Sequence, residues 1–187
     1  MPDAVCEQLC QFLDLTVTWN SRVDLTAARD ADELVDLTLA DALVLGMAPS
    51  SEASDAWLDV GSGGGAPGIP LGLIRPDLGL QLCEPRDKRV AFLRTSLVAL
   101  GRLDVKVERC RSSELPAESC DVAVARATLP PVEWLPEGAR LAKRGVWVLL
   151  AKAEAPALSG WPLAFERNYI WPLTGVARRA LFFQKET

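Results

Sequence analysis

The 187-residue sequence contains no histidine. That absence removes Ser-His and Cys-His nucleophilic catalysis and the commonest general base. Whatever chemistry the chain performs must come from carboxylates, arginines, backbone amides or a cofactor. The five cysteines, Cys6, Cys10, Cys83, Cys110 and Cys120, are odd in number and form no Cys-x-x-C pair. Without histidine beside them the usual zinc constellations are missing, so no metal is expected. They read as reduced thiols of a cytoplasmic protein. No run reaches the roughly 18 uncharged apolar residues of a membrane span, so no membrane partner is expected. The opening MPDAVCEQLCQFLD has early acids and no basic n-region, unlike a signal peptide. Basic residues are scarce in the first half: residues 1–85 hold 3 against 14 acidic ones, whereas residues 86–187 hold 17 against 11. A uniformly acidic chain would argue against nucleic acid, and a basic half leaves room for it.

What is present is a core. Apolar residues make up 49% of the chain, which suits one folded domain over residues 1–187. Val5, Leu9, Phe12, Leu13 and Thr16 recur at helical spacing, with Asp3 as N-cap. A second helix is expected over 31–45, with Asp30 and Glu33 as a capping box. These form an N-terminal helical cap, residues 1–50. Pro49–Asp55 is a polar linker. From 55 to 187 the pattern becomes short apolar strands, at 56–60, 78–83, 105–108, 122–125 and 146–151, alternating with helices, the clearest at 87–100. Segments 169–171 and 180–183 suggest a final hairpin. The alternation implies parallel strands with right-handed crossovers, hence a doubly wound, Rossmann-like α/β sheet.

The stretch DVGSGGGAPGIPLG, Asp59–Gly72, holds six glycines and two prolines in fourteen residues. It begins where the first strand ends, and ligands of such sheets bind at carboxyl strand ends. Gly61, Gly63 and Gly65 let the backbone turn and approach a ligand, and the following helix would offer unpaired amides. A tight strand–helix turn could require the same glycines without any ligand. Glu84 ends the second strand, where a carboxylate can accept from both ribose hydroxyls of an adenosine. It could equally be a surface acid. Gly61-x-Gly63-x-x-Ala66 fits the dinucleotide fingerprint, but Pro67 and Pro70 delay the helix to about Ile69. A long open loop suits a ligand without pyrophosphate, such as S-adenosylmethionine. No Gly-Lys-Ser/Thr follows, which excludes a P-loop.

Trp19-Asn20-x-Arg22-x-Asp24-Leu25-Thr26-Ala27, Leu58-Asp59-Val60-Gly61-Ser62-Gly63-x-Gly65-x-Pro67-Gly68-Ile69-Pro70-Leu71, Lys88-Arg89-Val90-Ala91-Phe92-Leu93-Arg94 and Arg126-Ala127 occur in this order. Together they resemble the GidB/RsmG family of bacterial 16S ribosomal RNA guanine-N7 methyltransferases, over roughly residues 15–150. The resemblance implies a class I methyltransferase sheet and S-adenosylmethionine as cofactor. It implies that Gly61 and Ala66 line the cofactor site, that Ser112 and Ser113 approach the adenine, and that Arg126 stands near cofactor and target. The chain departs from the family pattern at Asp24, usually Asn, and at Ala125, usually Ser. It also departs at Leu37-Thr38, usually Arg-His, while Asp41 keeps the acid beyond them.

The implied reaction tolerates the missing histidine. Guanine N7 carries an unshared pair and loses no proton before attack, so proximity and orientation suffice. Arg126 follows a buried strand and is expected to matter for transfer more than for folding. Arg86, Lys88, Arg89 and Arg94 are candidates to hold RNA phosphates, as are Arg140, Lys143 and Arg144, and Arg178 with Arg179. Each cluster could instead be a solvated helix face. Trp134 and Trp161 are either stacking platforms for bases or core residues. The implied partner is ribosomal RNA or the small ribosomal subunit. A small-molecule or protein substrate, or a silent binding protein of the same fold, are the rival readings.

Overall fold

The computed structural model describes residues 1–48 and 54–186. Residues 49–53 of the expected polar linker lie outside the described residues. Helix α1 spans Asp3–Asn20. Its N-cap is Pro2, not Asp3: the Pro2 carbonyl accepts from Val5 N at 3.0 Å. Asp3 stands in the first turn, where its charge complements the helix dipole. Helix α2, Ala31–Val35, continues through a π turn, Asp36–Ala40, into α3, Asp41–Gly46. Asp30 caps α2 by accepting from Glu33 N at 2.9 Å. The reciprocal half of the expected capping box is shifted by one residue, because Glu33 accepts from Arg29 N rather than from Asp30 N.

The sheet has seven strands: β1 Ala56–Val60, β2 Gly79–Cys83, β3 Lys106–Glu108, β4 Cys120–Ala125, β5 Ala142–Leu150, β6 Leu163–Ile170 and β7 Ala177–Gln184. Their order is β3-β2-β1-β4-β5-β7-β6. The first five are parallel, and the β6–β7 hairpin closes the edge antiparallel. The order reverses beside β1, between β2 and β4, which makes the carboxyl end of β1 the switch point where ligands settle. Helices α4, Gly68–Ile74, α5, Asp87–Ala99, and α6, Pro131–Leu141, complete the crossovers.

Alternation along the strands separates two cores. Trp57, Leu80, Leu82, Val122, Val124 and Trp147 face α1, α4 and α5, meeting Phe12, Ile69, Phe92 and Leu93. Leu58, Val60, Ala123, Ala125, Val146 and Val148 face the other way, against Trp134, Leu135 and Trp161. Period-two alternation buried on both faces is what a central parallel sheet requires. The N-terminal helices are thus one wall of the first core. Trp134 and Trp161 are 2% and 8% exposed, so neither offers a face to a nucleobase. No helix among the described residues is long and apolar enough to cross a membrane.

Candidate active site

The β1 end and the glycine loop form the floor of an open cleft of about 420 Å³. Its walls include Leu25 and Thr26 from the N-terminal loop, Leu37 from the π turn, Glu84–Arg86 after β2, and Arg126–Thr128 after β4. A second cleft of about 270 Å³ adjoins it, sharing Gly61, Pro85 and Thr128. Cys83, Cys110, Ser112 and Ser113 line that smaller cleft. Two connected clefts at a switch point suit an elongated ligand with a flat end.

The glycines divide by purpose. Gly61, with φ +69°, packs against Thr128, whose Oγ1 lies 2.4 Å from where a Cβ would stand. Gly63, with φ +52°, has nothing nearer than 3.4 Å to such a Cβ and opens onto the cleft. Ala66 also lines it. Gly65, expected at the cofactor, does not line the cleft. A Cβ there would meet Phe12 and Ile69 at 2.9 Å, so its bareness serves core packing.

The expected row of unpaired helix amides is not there, because the chain pairs the first amides of α4 and most of those of the loop itself. Gly61 N and Ser62 N donate to Cys83 O at 2.8 and 3.1 Å. Gly63 N donates to Glu84 Oε2 at 2.9 Å, Gly65 N to Ser62 O at 2.6 Å, and Gly68 N to Asp59 Oδ2 at 3.1 Å. Helix α4 therefore starts with its first amides already paired, a poor seat for a pyrophosphate and no obstacle to an adenosine lacking one.

Glu84 is 3% exposed, and both of its oxygens are oriented by the chain. Oε2 takes Gly63 N, and Oε1 takes Arg86 N at 2.9 Å. Each oxygen keeps a second lone pair, so the carboxylate can still accept from a vicinal diol. Asp59 lies below the loop and is 1% exposed. Burial pushes its carboxyl up to about 7, against the opposing pull of the Gly68 N–H and the Arg126 charge.

Arg126 borders the cleft and ties it to the helical cap. Its guanidinium donates to Leu37 O and reaches Asp41 Oδ2 at 3.4 Å. Asp41, 2% exposed, also accepts from Tyr169 OH at 2.7 Å and Trp171 Nε1 at 3.2 Å. Burial, with Asp41 beside it, pushes the Tyr169 phenol up. Arg126 is thus also a structural ion-pair residue, a role its position after a strand did not reveal.

Ser112 and Ser113 open a 3-10 turn. Arg140 fixes it from α6, donating to Ser112 O at 2.8 Å and Leu115 O at 2.9 Å while paired with Glu137. That employment removes Arg140 from the candidates for RNA phosphates. Arg144 pairs with Asp55, Arg179 with Glu166 at 2.9 Å, and Lys143 reaches Asp121 at 3.9 Å. Arg178 stacks over Trp171 at 3.9 Å. Arg89 spends its guanidinium on Asp24 O at 2.6 and 3.1 Å, and Arg94 donates to Val107 O at 3.0 Å. Arg86 and Lys88 remain exposed at the mouth.

Sequence reasoning missed Asn20, Asp59 and Thr128 as site residues. Asn20 Oδ1 accepts from Leu25 N and Thr26 N at 2.9 and 3.1 Å, holding the N-terminal loop over Gly64. The available signals were an Asn ending a helix before a short motif and an acid inside an apolar strand.

The sequence pattern of GidB, rRNA small subunit methyltransferase G, matches residues 5–158. The chain belongs to the GidB family. A GidB relative, ribosomal RNA small subunit methyltransferase G of Neisseria gonorrhoeae, is 35% identical over 150 residues, covering 80% of this chain and 72% of the relative. The Pseudomonas aeruginosa protein of the same name is 40% identical over 121 residues, 64% of this chain and 56% of its own. Solved structures share the fold. Magnesium protoporphyrin IX methyltransferase from Synechocystis, with bound S-adenosylmethionine, aligns with a TM-score of 0.64 at 14% identity over 100% and 99% of the two chains. A SAM-dependent methyltransferase from Aquifex aeolicus aligns with a TM-score of 0.58 at 15% identity over 84% and 95%. The GidB chain is a class I methyltransferase fold with S-adenosylmethionine as cofactor, and the bare floor at Gly63 beside a buried, diol-ready Glu84 fits that group.

Proposed function

We propose that this chain transfers a methyl group from S-adenosylmethionine to N7 of a guanine in 16S ribosomal RNA, in the cytoplasm, on the RNA or on the small ribosomal subunit. The observation that carries the reading is the cleft at the β1 switch point, with Gly63 open to it and Glu84 oriented by two amides. Residues 1–187 work as one methyltransferase domain in which the helical cap supplies part of the site wall.

The bound cofactor supplies an electrophilic methyl carried on a sulfonium. Glu84 would hold the ribose through its remaining lone pairs. Ser112, Ser113 and the Cys83–Pro85 segment would enclose the adenine in the smaller cleft, while Gly61, Gly63 and Ala66 leave room for the rest. Guanine N7 would take the methyl with its own lone pair as the sulfur keeps the S–C electrons and leaves as a thioether, so the chain needs no base and would act by holding the two reactants in line. Arg126 borders the same cleft with one guanidinium nitrogen committed to the cap. Its other donors would meet the guanine O6, an arginine–guanine contact that leaves N7 open. Arg86 and Lys88 would meet phosphates; Arg89 and Arg94 would serve from the second row.

The test is incubation with methyl-labelled cofactor and bulk ribosomal RNA or small subunits, followed by nucleoside analysis. The expected label is in 7-methylguanosine from the small-subunit RNA. Label in another nucleoside, or in protein or small molecules alone, would transfer the reading to a different substrate.

A further inference from the structure

Beside the cofactor cleft, and separated from it by Arg89, lies an outer groove of about 310 Å³. The loop Arg22–Asp24 forms one bank, and Arg86–Arg89, at the start of α5, forms the other. Arg89 belongs to both clefts and bolts the banks together through Asp24 O. Most guanidinium groups of the basic second half are employed internally. In this groove the pattern changes: among the described residues, Arg22, Arg86 and Lys88 are exposed and have no ion-pair partner. Four cations face two carboxylates, Asp24 and Asp87, and Asp87 is already paired with Arg109 at 2.7 Å.

Arg22 and Lys88 come from segments 66 residues apart in sequence, and the acidic first half contributes one of its three basic residues here. The geometry points to this groove as the seat of RNA phosphates next to the target guanine, with Arg22 and Lys88 as the clamp and Arg86 at the junction with the reaction cleft. This rests on the ribosomal RNA reading above and assigns the strand a track across the mouth. Phosphate is the matching chemistry, because the exposed, unpaired cations give up no internal ion pair on binding and release counterions from the RNA. The contacts position the strand and carry no base preference.

The test compares wild type with the double variant Arg22→Ala, Lys88→Ala in fluorescence anisotropy on small-subunit RNA across a salt series. The control is Lys106→Ala, Arg167→Ala, which removes two other exposed, unpaired cations at the amino edge of β3 and on β6. The groove variant should bind roughly tenfold or more weakly at 0.1 M salt. Its log–log salt slope should fall by about 1.4 to 1.8, the share of two phosphate contacts. Cofactor affinity, measured by calorimetry, should remain that of wild type, which also reports that the variant is folded. The control should bind RNA as wild type does. If groove and control variants lose affinity and slope equally, the groove is no special track and the proposal falls while the RNA reading stands. If wild type shows no salt-sensitive RNA binding, the RNA reading itself falls.

Discussion

A carboxylate in the middle of an apolar strand needs a reason, and Asp59 has one: it receives Gly68 N and so fixes where the glycine loop becomes helix α4. Its cost is desolvation, which pushes the carboxyl from the usual 3.8 up to about 7. The folded state therefore holds a proton that the unfolded chain has released between those values. This contribution to stability is complete below about pH 4 and is lost as pH rises through about 7. Asp59→Asn keeps an acceptor for Gly68 N and cannot titrate. Urea unfolding at pH 5 and pH 8 should show wild type losing stability over that interval and the variant losing clearly less. Equal losses would place the titration elsewhere.

Glu84 shows a second single-residue effect. Both of its oxygens accept backbone N–H groups. Glutamine can offer an acceptor to only one of them and turns a donor toward the other. Glu84→Gln is consequently not conservative, and calorimetry should find S-adenosylmethionine weakened by about 1–3 kcal/mol. Wild-type affinity in that variant would remove Glu84 from the ribose site. That Gly61, Gly63 and Glu84 meet at one cleft was legible in the sequence because each carries a local signature, a backbone that must turn or an acid where a strand ends. The core contacts of Gly65 were not legible, because glycine answers core crowding as readily as ligand crowding. The tie between Arg89 and Asp24 O was not legible, because a carbonyl 65 residues away leaves no mark in local sequence.

At the scale of elements, the five parallel strands were readable from apolar runs between turn signals, and the edges were not. Strand β6 runs Leu163–Ile170, although only its end was expected, because an edge strand exposes Glu166, Arg167 and Asn168 and so lacks an apolar pattern. Strand β5 begins at Ala142, earlier than expected, across charged Lys143 and Arg144. The hairpin is locked onto β5 by a glycine: the Phe182 ring lies over Gly145, 2.1 Å from where a Cβ would be. Trp147 packs against the same ring in a tilted arrangement, with centroids 5.0 Å apart. Gly145→Ala would force a buried aromatic out of place. It should cost about 1–3 kcal/mol in chemical unfolding, the usual range for overpacking. A variant as stable as wild type would show that Phe182 has somewhere to go.

Across the whole molecule, the acidic first half and basic second half are not two surfaces. They interlock at the mouth, where Asp24 O holds Arg89 and Asp41 holds Arg126. Charge counting anticipated a basic partner face but not that most of its arginines would be engaged inside the fold, some in such joints and others with partners in the second half itself, since pairing is a property of the fold. The central claim is that the cleft above β1 binds the cofactor and delivers its methyl to ribosomal RNA. Gly63→Asp tests it most directly. A side chain there meets nothing nearer than Arg89 at 3.4 Å, and the φ of +52° is a left-handed conformation that Asp adopts more readily than most side chains, so the protein should fold with a modest loss of stability while a carboxylate occupies the cofactor's room. Calorimetry with S-adenosylmethionine, paired with labelled methyl transfer to small-subunit RNA, should show binding and transfer in wild type. Both should be abolished in a variant whose unfolding remains cooperative. A folded Gly63→Asp protein that binds the cofactor and methylates the RNA like wild type would contradict the account.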